Sequence, residues 1–275
     1  MAKTRRMIKE MLPEVDIVLE LLDARIPYSS KNPELKKIVG QKPVLTILTK
    51  SSLADPAISA KWRDYYRSHG QSCIFADCIT NSGISDIPKA VNAILSEKLQ
   101  KYEDRGMSGR TVKALVCGIP NVGKSSFINK LAGCKRAKVE DRPGVTTDKQ
   151  WVTTSSGLVL LDTPGVLWPK FDEKRVGENL AMTGAIRDQI LDTETIAVLL
   201  CGRLRKKYPD YLSERYKLGE MSQYDDYQDY ELFEAIGRKR GFLISGGEVS
   251  YERTAVMLLD EFRGGIIGRI SLETP

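Results

Sequence analysis

The sequence predicts an α/β protein: a doubly wound, mostly parallel sheet followed by a smaller all-helical C-terminal domain. Three observations carry this. Apolar runs rich in β-branched residues alternate with stretches of helical spacing through the first part of the chain. A glycine-containing loop lies between one such run and one such stretch, the strand–loop–helix setting of a phosphate loop. Past Pro169 the strand signal fades and helical periodicity takes over. The domains are therefore drawn as residues 1–170 and 171–275.

Taken in order, Met1-Ala-Lys-Thr-Arg-Arg leads into an amphipathic segment, and strands are predicted over residues 15–22, 43–48, 73–76, 112–117 and 158–161. Helices are predicted over 32–39, 57–68, 87–102 and 124–132, with Gly70 and Gly133 as stops. Residues 103–110 are polar and glycine-containing, a connector into the 112–117 strand. In the second domain helices are predicted over 176–191, 193–204, 231–239 and 250–264, and the acidic, tyrosine-rich residues 221–230 read as an exposed loop.

Composition narrows the class. With 41% hydrophobic and 28% charged residues the chain can bury a core, which excludes global disorder. A net charge of +6 suits an anionic partner such as nucleic acid, or simply a solvated surface. The five cysteines include no C-x-x-C pair, against a zinc or redox motif, and read as reduced thiols. No run approaches the roughly 18 apolar residues of a membrane span, so neither a span nor secretion is indicated and a cytoplasmic protein is expected; a monomer is the separate expectation for its assembly.

The phosphate loop is Gly118-Ile-Pro-Asn-Val-Gly123-Lys124-Ser125. Glycines let successive N–H groups turn inward around a β-phosphate, and the helix that follows adds partial positive charge. Lys124 would reach the β- and γ-phosphates and the Ser125 hydroxyl would bind Mg²⁺. Asp162 ends a strand and opens Asp162-Thr-Pro-Gly165, where the carboxylate would approach the metal through water and the Gly165 N–H would meet the γ-phosphate. In Asp141-Arg-Pro-Gly-Val-Thr146-Thr147, Thr146 is the chosen third metal ligand, with Thr147 in reserve.

Guanine-specific enzymes read the base with an Asn-Lys-x-Asp element, and none lies downstream of Gly165. Upstream, at the end of the 43–48 strand, stands Thr49-Lys50-Ser51-Ser52. A base element that precedes the phosphate loop is the order of a circularly permuted GTPase, with residues 103–110 as the join. The nucleotide-binding set is then Thr49, Lys50, Ser52, Ala76, Asp77, Asn121, Val122, Gly123, Lys124, Ser125, Ser126, Thr146 and Gly165, and the metal set Ser125, Thr146 and Asp162.

Those motifs, with Asp23-Ala-Arg25-Ile-Pro-Tyr-Ser-Ser and Leu161-Asp-Thr-Pro-Gly-Val-Leu-Trp-Pro-Lys170, resemble the YlqF/RbgA family of circularly permuted ribosome-assembly GTPases over essentially the whole chain. The resemblance implies GTP hydrolysis coupled to late maturation of the large ribosomal subunit, with the C-terminal helical domain on ribosomal RNA. Two departures accompany it. Ser52 replaces the base-reading aspartate, a loss of about 1.5–3 kcal/mol in guanine binding. Asp55 either swings in to compensate or caps the helix beginning near Pro56.

The second departure is catalytic. Val166 stands where many GTPases carry a water-orienting glutamine. The family shares that change and uses a histidine in an N-terminal Phe-Pro-Gly-His-Met stretch, of which this chain begins at the apparent Met. No catalytic residue is assigned: His69, the one histidine, reads as a solvated helix-end residue. Either the sequence starts several residues late, or catalysis depends on the ribosome or on an ion. Asn121 would hold K⁺ against the phosphates or merely structure the loop. Arg203-Leu-Arg205-Lys206-Lys207 and Arg238-Lys239-Arg240 read as RNA-phosphate contacts or as a solvated face. A slow GTP hydrolase leads these readings. Its rivals are a nucleotide-gated binding module with little hydrolysis and an ATPase with weakened guanine selectivity.

Overall fold

A computed structural model describes residues 2–107, 109–133, 150–163, 171, 173–190 and 192–275. Two compact units result: Met1–Ser52, Pro56–Phe171 and Glu273–Pro275 form one, Leu53–Asp55 and Asp172–Leu272 the other.

The first unit is built on a sheet of six strands, β1 (Ile17–Asp23), β2 (Val44–Thr49), β3 (Cys73–Phe75), β4 (Val112–Gly118), β5 (Gln150–Thr153) and β6 (Leu158–Asp162), in the order β3-β2-β1-β4-β6-β5. All pairings are parallel except the antiparallel β5–β6 edge. Every residue of β1 is buried, as expected of a central parallel strand covered on both faces. Around the sheet lie α1 (Ala2–Met11), α2 (Leu35–Val39), α3 (Pro56–Ser68), α4 (Asp86–Ile94), α5 (Ser96–Glu103) and α6 (Lys124–Ala132). Ile8 and Met11 of α1 and Ile38 and Val39 of α2 pack with Val18, Leu115, Cys117 and Leu161 of the sheet into one apolar cluster.

Two sequence expectations change here. The single helix over 87–102 is two helices, broken at Leu95, whose φ of −97° and ψ of 6° interrupt the α conformation. β5 is not among the predicted strands; in this edge strand Gln150-Trp151-Val152-Thr153 sets two apolar residues side by side and so gives no period-2 signal. The connector behaves as expected, running from the end of α5 to Val112. The chain's last residues rejoin this unit: the Glu273 carboxylate accepts from the Tyr28 N–H (2.8 Å), the Ser29 N–H (3.1 Å) and the Ser29 hydroxyl.

The second unit holds α7 (Lys174–Met182), α8 (Thr193–Lys207), α9 (Pro209–Tyr216), α10 (Asp229–Lys239) and α11 (Tyr251–Arg263). Helix α8 packs on α10 and α11 through Ala197, Leu200, Cys201 and Leu204, all fully buried. Glu261 of α11 is buried among Arg215 and Tyr216 of α9 and Arg240 at the end of α10, which tie two helices to one carboxylate of a third. The helix over 176–191 is shorter than expected, giving way to a 3₁₀ turn at Asp188–Ile190, and α9 is an addition. The 221–230 segment is largely exposed but contains a 3₁₀ turn, Met221–Tyr224, and the first residues of α10.

Candidate nucleotide-binding site

The site forms where β1, β2, β4 and β6 end. Strand β4 delivers the chain to Gly118, where any side chain is excluded: a Cβ would lie 2.7 Å from the Leu21 carbonyl oxygen of β1. The loop then turns through Asn121 at φ +56° and Gly123 at φ +98°, and α6 begins at Lys124. Val122, of negative φ, lies between left-handed Asn121 and left-handed Gly123, and this alternation of hand curls the backbone into an N–H-lined concavity at a helix N-terminus, the form that accepts phosphate. Val122 is buried beneath the loop, and Ser125 and Ser126 are exposed at the first turn of α6.

Lys124 curls over its own loop, its Nζ donating to the carbonyls of Ile119 (3.2 Å) and Gly118 (3.4 Å). Burial holds its ammonium below the ordinary lysine value, while Asp162 and the Cys117 sulfur oppose the change. Asp162 is pushed above the ordinary carboxylate value by burial, against the pull of Lys124 and the Thr163 N–H. Its Oδ1 is buried and meets no hydrogen-bond partner among the described residues. The Thr163 hydroxyl, donating to the Val116 carbonyl at 2.7 Å, clamps the end of β6 to β4 and so fixes Asp162 beside the loop.

The predicted base element is strapped to this loop. Thr49 Oγ1 donates to the carbonyl of Val122 (2.7 Å), and Lys50 Nζ donates to that of Asn121 (2.6 Å). Lys50 itself sits at φ +55°, and its ammonium is shared with Asp23 at 3.1 Å. Asp23 is buried and also receives Arg25 side-on, Nε to Oδ1 at 2.9 Å and Nη2 to Oδ2 at 2.8 Å. Burial alone would raise the Asp23 carboxyl, but the Arg25 and Lys50 charges and the Arg25 hydrogen bonds hold it far below the carboxylate range. Asp23 and Arg25 were noted in the sequence only as part of a family motif. Their role in aiming Lys50 rests on a contact across 27 residues that no local spacing signals.

Ser52 and Asp77 also meet. The Ser52 hydroxyl donates to Asp77 Oδ2 at 2.5 Å and the Ser52 N–H to the same oxygen at 3.2 Å. Asp77 Oδ1 accepts from the N–H groups of Ile79 (2.8 Å) and Thr80 (2.9 Å). Burial works to raise this carboxyl, but those hydrogen bonds, led by the Ser52 hydroxyl, bring it below its ordinary value. Ala76 is buried and its N–H pairs with Leu48, so it places Asp77 at the end of the sheet.

The structure thus brings together Thr49, Lys50, Ser52, Ala76 and Asp77 on one side and Asn121, Val122, Gly123, Lys124, Ser125, Ser126 and Asp162 on the other. Thr146, Thr147, Gly165 and Val166 lie outside the described residues. Asp55 belongs to the helical unit, where its carboxylate accepts from the Tyr208 hydroxyl at 3.1 Å. His69 is exposed at the end of α3, its ring stacked 4.2 Å from that of Tyr65 and its Nδ1 2.8 Å from the Tyr65 carbonyl.

The basic clusters divide. Arg205 is turned to Asp229 (2.7 Å) and Arg240 to Glu261, so both hold helices together. Arg203 likewise joins α8 to α7, through the Glu178 and Asn179 side chains, and Lys207 donates to the Leu272 carbonyl at 2.9 Å; with the exposed Lys206 and with Lys174 and Arg175 of α7 they line a cleft of about 400 Å³ beside Glu178.

A parallel sheet whose phosphate loop enters a helix, with a carboxylate at the end of the neighbouring strand, defines a P-loop nucleotide-binding protein of the GTPase class. The family described as 50S ribosome-binding GTPase matches residues 113–221. The ribosome biogenesis GTPase A of Bacillus cereus is 44% identical over 275 residues, spanning all of this chain and 92% of that protein. The chain belongs to the ribosome biogenesis GTPase A (YlqF/RbgA) family: it binds guanine nucleotide and is a GTP hydrolase. Mitochondrial ribosome-associated GTPase 1 of Mus musculus is 31% identical over 290 residues, 99% of this chain and 88% of that one. The crystal structure of GNP-bound YlqF from T. maritima matches at a TM-score of 0.66 and 26% identity, covering 99% of this chain and 98% of that one.

Proposed function

We propose that this GTPase binds GTP and GDP between the loop of Gly118–Ser125 and the 49–52 and 76–77 segments, and serves late assembly of the large ribosomal subunit. The observation that carries the nucleotide reading is the strap from Thr49 and Lys50 to the carbonyls of Val122 and Asn121, which unites base and phosphate elements whose order in the chain is reversed. Phosphates would take the inward N–H groups of Val122, Gly123, Lys124 and Ser125, and the Lys124 ammonium would leave the Gly118 and Ile119 carbonyls for the β- and γ-phosphates.

Mg²⁺ fits the residues present. The buried, unpartnered Asp162 Oδ1 supplies a hard oxygen acceptor, and the Ser125 hydroxyl is open at the loop's exit, with Thr146 as the third expected ligand. Once bound, Mg²⁺ neutralises charge that develops on the phosphates. Asn121, exposed at the apex of the loop, is the residue against which K⁺ would add further charge stabilisation.

The ribosomal assignment is supported by the relatives' own names and by the cleft lined by Lys174, Arg175, Lys206 and Lys207, whose positive charge suits an RNA phosphate backbone. Phosphate release from GTP and ATP, with and without large ribosomal subunits, in K⁺ and in Na⁺, tests the proposal. GTP turnover stimulated by large subunits and abolished by Lys124→Ala is expected. Turnover indifferent to large subunits refutes the ribosomal part, and equal turnover of ATP refutes guanine recognition.

A further inference from the structure

Ser52 occupies the position at which the guanine-reading pattern carries a carboxylate, yet a carboxylate is present there from another strand's end. Asp77 reaches Ser52 from beyond β3 and takes its hydroxyl proton at 2.5 Å. We propose that Ser52 and Asp77 form a relayed base reader, in which Asp77 fixes the Ser52 hydroxyl as an acceptor for the guanine edge bearing N1–H and the 2-amino group. The inference rests on the 49–52 segment being the base element.

Asp77 does not do this reading itself. A carboxylate offers about four lone-pair sites, and Asp77 already accepts from Ser52 N–H and Oγ–H through Oδ2 and from Ile79 and Thr80 N–H through Oδ1. A serine hydroxyl, by contrast, has one proton and two lone pairs. With the proton committed to an ionised acceptor, a charge-assisted bond, what remains on the half-buried Ser52 Oγ is acceptor character only. Polarisation along a hydrogen-bonded chain strengthens that character further.

The consequence is a selection rule. Guanine presents donors on this edge. Adenine presents the N1 lone pair and a C–H there, so its approach sets acceptor against acceptor. A free serine would rotate and donate to adenine N1; a serine held by Asp77 does so only by breaking its bond to a buried carboxylate. Guanine preference is therefore retained although the aspartate is gone, at an affinity below that of a direct carboxylate reader.

The test is calorimetric titration of the parent protein, Ser52→Ala and Asp77→Asn with GDP and with ADP. The parent is expected to prefer GDP. Ser52→Ala removes one neutral hydrogen bond and should weaken GDP about five- to tenfold while leaving ADP within about twofold. Asp77→Asn keeps the hydroxyl but lets it rotate, so the GDP-to-ADP ratio should fall because ADP gains. A Ser52→Ala protein that binds GDP as tightly as the parent overturns the relay. So does equal loss of GDP and ADP, which would mark Ser52 as merely structural. A parent protein that binds neither diphosphate, or that prefers ADP, refutes the guanine-nucleotide reading of the whole site rather than the relay within it.

Discussion

Glu20 sits on β1 in register with Thr46 and Cys117, 5% exposed, and its Oε1 meets no hydrogen-bond partner among the described residues. Burial lifts its carboxyl from 4.5 to about 7, with the Lys31 charge pulling the other way. Within that window the unfolded chain has already released a proton that the folded chain retains. Stability therefore falls as pH rises from 4.5 to about 7 and stays lower beyond it. At roughly 1.4 kcal/mol for each decade of proton affinity, the whole effect is about 3 kcal/mol. Glu20→Gln keeps the shape and removes the titration. Burying the amide carries its own cost of about 1–3 kcal/mol, but that cost does not vary with pH. Urea unfolding of the nucleotide-free protein at pH 4.5 and pH 8 should show the variant gaining on the parent by about 3 kcal/mol between the two. Parallel stability–pH curves for variant and parent would refute the assignment of a retained proton to Glu20.

Thr49→Val deprives the Val122 and Leu22 carbonyls of a buried donor. It should cost about 1–3 kcal/mol of stability and loosen the phosphate loop, read by calorimetry as about tenfold weaker GDP binding. Gly202→Ala places a Cβ 2.0 Å from the Asp229 carboxylate that holds Arg205. A loss of about 1–3 kcal/mol is expected from the overpacking, seen as a lower melting temperature. Replacing Lys174 and Lys206 together by Glu should weaken binding to large ribosomal subunits and flatten its salt dependence by roughly one unit of slope per charge removed; an unchanged slope would exclude the cleft as the RNA contact.

The phosphate loop and the strand that carries Asp162 are legible in the sequence because each depends on contiguous residues: a strand must end, a glycine must turn and a helix must start, all within a dozen positions. The parallel sheet follows from the same alternation. What escapes is whatever depends on pairing across the sheet. Asp77 and Ser52 both belong to the nucleotide-binding set read from the sequence, but they are 25 residues apart and meet only because β2 and β3 are neighbours, so the sequence registers the missing aspartate and not the hydrogen bond between these two residues. Arg205 shows the reverse error. In the sequence it belongs to a basic run suited to RNA, whereas in the fold it is spent on Asp229 at the start of α10. The break at Leu95 escapes because neither glycine nor proline marks it, and α9 because Tyr208 interrupts the periodicity just before Pro209 starts a new helix.

The hydrogen bonds that Glu273 receives from Tyr28 and Ser29 bear on how the protein is made. The turn after β1 gains this acceptor only from a residue translated after the entire helical unit. A nascent chain released up to Phe171 has every strand of the sheet but not the carboxylate that fixes Tyr28 and Ser29. The first unit to be synthesised is thus the last to be completed. A fragment cut at Phe171 is not an independent copy of the nucleotide-binding unit, and its stability will understate that of the unit in the whole chain.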